Sequence, residues 1–253
     1  MLVLLALVAS AVISSAHPAE RRQVGQVITS CSVPGTAALT FDDGPYIYLN
    51  QIVDTLDANN ATGTFFFNGN NFDCIYDLDA SARVQYAYSH GHQVASHTWS
   101  HPDLATLDAA EIDNQFFLLQ QAIQRLTGAV PAFMRPPFGS YNDLVLQEAG
   151  NFGLIVTLWD LELSLLFSDH SGDATGASVQ QSESIYEAVI SQNPPSILTL
   201  NHETVASTAS DLLPFAITSL RNAGYNLVSV ADCLGVAPYQ SVGAPGVRDA
   251  ALA

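Results

Sequence analysis

Ala37-Ala38-Leu39-Thr40-Phe41-Asp42-Asp43-Gly44-Pro45 is a short apolar run that stops on two adjacent carboxylates and a Gly-Pro pair. The run itself, 37–41, is too short for a helix and is bounded by a turn signal, so it reads as a buried strand. The same signature recurs at 63–67, 93–96, 132–135, 154–159, 196–200 and 226–230. Amphipathic stretches alternate with these runs, at roughly 48–58, 78–89, 108–127, 142–150, 178–192 and 211–223. The clearest is 108–127, whose apolar positions fall at helical spacing and which ends at Gly128. Seven strands with intervening helices predict an α/β fold on a parallel sheet, open or closed into a barrel. No repeat or low-complexity linker divides the chain, and 253 residues suit one domain.

In such folds polar chemistry gathers where the strands end at their carboxyl side. The first strand runs into Asp42 and Asp43, the third into His97 and His101, and the fourth into Arg135-Pro136-Pro137. The fifth runs into Asp160 and Glu162, the sixth into Asn201-His202-Glu203. Ionisable groups at five strand ends are a costly coincidence for a purely structural protein. The sequon Asn60-Ala61-Thr62, an acceptor for N-glycosylation, lies in a helix-to-strand loop on the opposite face.

His97 and His101 stand four residues apart, the spacing of one helical face, although Pro102 makes a turn or short loop equally compatible. Two neutral imidazoles form a common half-site for Zn²⁺ that a carboxylate completes, leaving a fourth position for water. Alone, such a pair is as often structural. Two adjacent acids at a neighbouring strand end alter the balance, because they repel unless a cation or a base role divides their duties. One carboxylate then ligates metal and the other accepts a proton, with Gly44 and Pro45 turning the chain behind them. His202 suits a general acid, with an ordinary pKa near ~6.5. Arg135 suits a brace that orients the base carboxylate and lowers its pKa.

Residues 1–16 read as a secretory signal: an apolar run over 2–13, small residues at 14–16, then Pro18. Residues 17–28 form an N-terminal extension, with Arg21-Arg22 as a candidate processing site. The tail, 237–253, has no hydrophobic end resembling a lipid-anchor signal. A secreted location is expected, extracellular or in the cell wall, without a membrane anchor. In that oxidising setting Cys31, before the first strand, and Cys233, after the last, are the expected disulfide, leaving Cys74 free. All seven basic residues are arginines against 24 acids, a formal net charge of −17, which argues against nucleic acid as a partner.

Four segments carry a resemblance. They are Thr40 to Pro45 (TFDDGP), Ser96 to His101 (SHTWSH), Arg135 to Tyr141 (RPPFGSY) and Leu198 to Glu203 (LTLNHE). In this order they resemble the motifs of the polysaccharide deacetylases, the NodB-homology enzymes of carbohydrate esterase family 4. The likeness is nearest to the fungal chitin deacetylases and spans about 29–236. It implies a distorted (β/α)₇ barrel and a monomer acting on chitin or chitooligosaccharide with one divalent metal, Zn²⁺ first and Co²⁺ as the alternative. It implies that Asp42 is the base, that Asp43, His97 and His101 are the ligands, and that Arg135 braces Asp42. His202 would be the acid, the Tyr141 backbone N–H an oxyanion donor, Leu200 a wall of the acetyl pocket and Trp159 a substrate contact.

One motif departs from the family. Trp159-Asp160-Leu161-Glu162 is followed by LSLLFSDH at 163–170 before Ser171-Gly172-Asp173. Removing 163–170 restores the expected run, with Asp173 as the acid that tunes His202. The competing expectations are a deacetylase or esterase on acetylxylan or peptidoglycan, and a catalytically impaired carbohydrate-binding homologue.

Overall fold

A computed structural model of the protein describes residues 25–160 and 177–246. Among these residues every expected strand is found. The first is interrupted at Leu39 into β2 (Thr36–Ala38) and β3 (Thr40–Gly44), preceded by β1 (Val27–Ile28). The chain continues through α1 (Leu49–Ala58), β4 (Thr64–Phe67), α2 (Leu78–Ser89), β5 (Gln93–Ser96), α3 (Ala109–Thr127), β6 (Ala129–Pro131), β7 (Phe133–Met134), α4 (Asp143–Asn151) and β8 (Ile155–Thr157). It ends with α5 (Val179–Ser191), β9 (Ser196–Leu198), β10 (Asn201–His202), α6 (Leu213–Asn222), β11 (Asn226–Val228), α7 (Val230–Leu234) and β12 (Tyr239–Val242).

One sheet runs β1-β8-β7-β5-β4-β3-β10 and a second runs β11-β2-β9, every pair parallel. Because β2 continues into β3 and β9 into β10, the two sheets are one curved wall. Asp160 joins its ends: its N–H donates to Leu198 O at 3.1 Å and its Oδ1 accepts from Leu198 N at 2.7 Å. The result is the distorted barrel expected from the sequence. The antiparallel pair β12–β6 ties the first part of the tail to the wall.

The alternation of side chains sorts two cores. On β4, Phe65 and Phe67 face outward into the layer beneath the helices, while Phe66 faces the barrel interior with Ala38, Ala95, Phe133 and Leu198. Phe41 stacks on Phe65 with ring centroids 5.2 Å apart. Each fully buried phenylalanine stabilises the fold by about 1.5–3 kcal/mol. Helix α3 starts where the sequence predicts: Asp108 and Glu111 form a capping box, and Gly128 closes it at φ 81°. On the side away from the strand ends, Cys31 and Cys233 form the expected disulfide and Cys74 is free. No helix among the described residues is long and apolar enough to cross a membrane. The signal segment, residues 163–170, Glu162 and Asp173 lie outside the described residues.

Candidate active site

Asp43, His97 and His101 meet above the strand ends, their ligand atoms all within 4.8 Å of one another. His97 follows β5 and continues its ladder by donating its N–H to Phe67 O at 2.7 Å. Its ring Nδ1 lies 2.8 Å from the carbonyl of Arg135, which fixes a proton there and leaves the Nε2 lone pair free for a cation. Nε2 of His97 is 3.6 Å and Nε2 of His101 3.3 Å from Asp43 Oδ1. Ligands about 2.0–2.2 Å from a tetrahedral Zn²⁺ are themselves about 3.3–3.6 Å apart, so the three groups fit such an ion. Burial depresses both imidazoles, His97 to about 3 and His101 to about 4, so both are neutral, as ligation requires.

The histidine segment is a loop and not one face of a helix. Thr98 and His101 have φ of 73° and 56°, and Asn68 holds the loop by donating its amide to the carbonyls of His97 and Thr98. Asp43 (φ 71°) and Phe138 (φ 60°) are likewise left-handed. Four of the six described non-glycine residues with positive φ therefore surround this site, each holding about 1–3 kcal/mol of backbone strain that the fold must offset.

Asp42 has a different environment. It is buried, and its Oδ1 accepts from Arg135 Nη1 at 2.8 Å. Arg135, itself fully buried, also donates from Nη1 to Thr40 Oγ1 at 2.7 Å, from Nε to Thr157 O at 3.2 Å and from Nη2 to Leu158 O at 2.9 Å. Its guanidinium lies 4.3 Å from the centroid of Phe66 and plugs the barrel below the carboxylates. Desolvation pushes the Asp42 pKa up, against the lowering effects of Arg135 and His202. The two acids, adjacent in sequence, share His97, whose Nε2 is 3.7 Å from Asp42 Oδ2 and 3.6 Å from Asp43 Oδ1, and are told apart by Arg135 on Asp42 and His101 on Asp43. His202 stands across from them, its Nε2 4.0 Å from Asp43 Oδ2.

These groups line a cavity of about 220 Å³ together with Pro136, Phe138, Gly139, Trp159 and Leu200. That is below the ~300–1,000 Å³ of sites for drug-sized ligands and suits a small substituent better than a whole sugar ring. Tyr141 is not among the lining residues; it is 38% exposed on the surface. The turn Pro137–Gly139 brings Phe138 to the wall instead, edge-on to His101 at 4.7 Å. Asn60 is exposed at the helix-to-strand loop before β4, as expected for a sequon. Asp160 serves the barrel joint rather than the cavity.

The sequence did not single out Asn68, Phe138 or Glu203. Glu203 is fully buried, accepts from Tyr46 N through Oε1 at 2.6 Å, and leaves Oε2 buried with no partner among the described residues. Burial pushes its pKa well above the ordinary carboxylate range. Its acidic neighbourhood at a strand end was the available signal, but its direction into the wall depends on register across the barrel.

Residues 30–156 match the model of the polysaccharide deacetylase family. A chitin deacetylase of Pestalotiopsis sp. is 39% identical over 226 residues, covering 88% of this chain and 72% of the relative. One from Colletotrichum lindemuthianum is 33% identical, with 89% and 90% covered. The solved structure of the chitin deacetylase from the fungal pathogen Colletotrichum lindemuthianum superposes with a TM-score of 0.78 at 31% identity, over 87% of this chain and 96% of that one. With these matches spanning the strand ends that build the cavity, the chain belongs to the polysaccharide deacetylase family.

Proposed function

We propose that this chain is a secreted, metal-dependent chitin deacetylase that hydrolyses N-acetyl groups of N-acetylglucosamine units to give chitosan and acetate. The observation that carries the reading is the division of the Asp42–Asp43 pair. One carboxylate is salt-bridged to buried Arg135 and the other faces two neutral imidazoles, both at the floor of one small cavity.

Asp43, His97 and His101 would hold the divalent cation, Zn²⁺ or Co²⁺. When bound, it supplies polarisation of the acetamide carbonyl and a lowered pKa for water. Asp42 takes the proton of the attacking water. Burial raises its pKa, which makes it a stronger base than an exposed aspartate, and the Arg135 guanidinium acts in the opposite direction by favouring the carboxylate. His202 delivers a proton to the departing amine nitrogen from the opposite wall. Leu200 and Trp159 supply apolar surface for the acetyl methyl and the sugar. The backbone N–H of Tyr141, in the chain that follows the Phe138 turn, remains the proposed oxyanion donor, while Phe138 adds to the cavity wall. Asp173 remains the proposed tuning acid for His202. The Cys31–Cys233 disulfide supports an oxidising, extracellular location.

The test is acetate release from N-acetylglucosamine oligomers and from acetylxylan, before and after chelation and zinc add-back, with Asp42→Asn alongside. The expected result is zinc-restored release from the oligomers and a loss of about 10²–10⁴-fold in Asp42→Asn. Release that ignores chelation, or an unimpaired Asn variant, overturns the reading. Faster release from acetylxylan would move the substrate to another glycan.

A further inference from the structure

Among the described residues, Glu203 is the one fully buried carboxylate near the cavity that the mechanism above does not use. A leucine would fill its space without the desolvation cost, so the carboxyl must be retained for what it bonds. Its backbone and side chain both reach the first strand's end. The N–H of Glu203 donates to Asp42 O at 3.2 Å, extending the register that pairs His202 with Asp42. Its Oε1 accepts the N–H of Tyr46 at 2.6 Å. Between these two points lie Asp43, Gly44 and Pro45. Gly44 is pressed so closely on the carboxyl that a Cβ there would stand 2.1 Å from Glu203 Cδ. Asp43 holds a left-handed φ of 71° in this segment, an uncommon conformation for a residue with a side chain, which the packed turn must maintain.

We propose that Glu203 is a positioning residue. Its Oε1 clamps the Asp43–Tyr46 turn against the strand carrying His202, and so sets where Asp43 presents its carboxylate and how far it stands from His202. The clamp acts through one accepted hydrogen bond and through shape. Glutamine keeps both; alanine keeps neither; aspartate keeps the acid but is one methylene too short to reach Tyr46.

This inference rests on the metal-dependent deacetylase reading only for its kinetic arm. Zinc affinity, measured by competition with a chelator on the folded full chain, tests it without catalysis. Glu203→Ala and Glu203→Asp should weaken zinc binding about 10–100-fold, the usual cost of losing a residue that orients a ligand. Glu203→Gln should stay within about twofold of wild type. In turnover, kcat should fall by about 10²-fold in the Ala and Asp variants, a loss typical of ångström-scale misplacement. KM should hardly change, and the Gln variant should keep the wild-type pH profile. Folded Ala or Asp variants with wild-type zinc affinity overturn the proposal, even if their melting temperatures drop. A Gln variant as impaired as alanine also overturns it, because the acid itself would then be the requirement. If Ala does not fold, the Asp and Gln pair decides. A wild type that binds zinc but releases no acetate refutes the functional reading and leaves the zinc comparison standing.

Discussion

Replacing Arg135 with methionine keeps most of the volume of the barrel plug and removes its charge. In the wild type the fully buried guanidinium pairs with buried Asp42 and satisfies Thr40 and the carbonyls of Thr157 and Leu158. Removing one partner of a buried pair costs about 3–5 kcal/mol, because the other charge is stranded. For a chain of this size about 1 kcal/mol moves the melting temperature by about 2–4 °C, so a fall of roughly 6–20 °C is expected. The loss carries a signature in pH. Asp42 already has a raised pKa, and the largest influence holding it down is Arg135. Without that influence its folded pKa rises further above the unfolded value near ~3.9. The folded variant therefore binds a proton that the unfolded chain has released, and its stability falls as pH rises above that value. Urea unfolding in the presence of chelator should show a small deficit at pH 4 and the full deficit at pH 7. Asp42→Asn in the same background should recover part of it. A deficit equal at both pH values, or strict additivity of the two substitutions, would refute the claim that a stranded carboxylate is the cause.

Gly44→Ala puts a methyl 2.1 Å from the Glu203 carboxyl and should cost about 1–3 kcal/mol; Glu203→Ala in the same chain should give part of that back, read from urea midpoints. Cys31→Ser opens a disulfide between residues 202 apart, for which loop entropy gives about 5 kcal/mol; a melting temperature unchanged by the substitution would mean the unfolded chain is not the state being constrained. In the metal-free protein the imidazoles of His97 and His101 sit at about 3 and about 4, below the unfolded ~6.5. The unfolded chain binds protons there that the folded one excludes, so stability should decline as pH falls from about 6.5 toward 4. His97→Asn should flatten that decline, and an identical slope in variant and wild type would count against it.

The strands were legible because those of a parallel sheet are buried on both faces and so appear as short unbroken apolar runs, as Thr64 to Phe67 does. Helix α3 was legible to the residue at its C-terminal end, since Asp108, Glu111 and Gly128 are local signals for local events. The clustering of Asp43, His97 and His101 could be expected from chain order alone, because parallel strands deliver their ends to one side. What escaped depends on contacts between residues far apart in sequence. The histidine spacing suggested one helical face as an option, yet Asn68 and the left-handed Thr98 shape a loop. Asp160 looked like a cavity acid and instead joins the barrel through Leu198. Phe138 stood unremarked inside a matching motif, and only the tight turn at 137–139 brings its ring against His101. Glu203 points into the wall because of the register of β10 on β3, which no local pattern encodes.

The Arg135 plug also governs traffic. Among the described residues, its guanidinium fills the barrel beneath the carboxylates and gives the cavity a floor. In the proposed reaction the acetyl group enters first and lies deepest, so acetate is released beneath the sugar that delivered it. On that reading the amine product lifts away first and acetate follows. Order of release is thus written into the architecture, and accumulated acetate should compete with the next acetamide for the same floor.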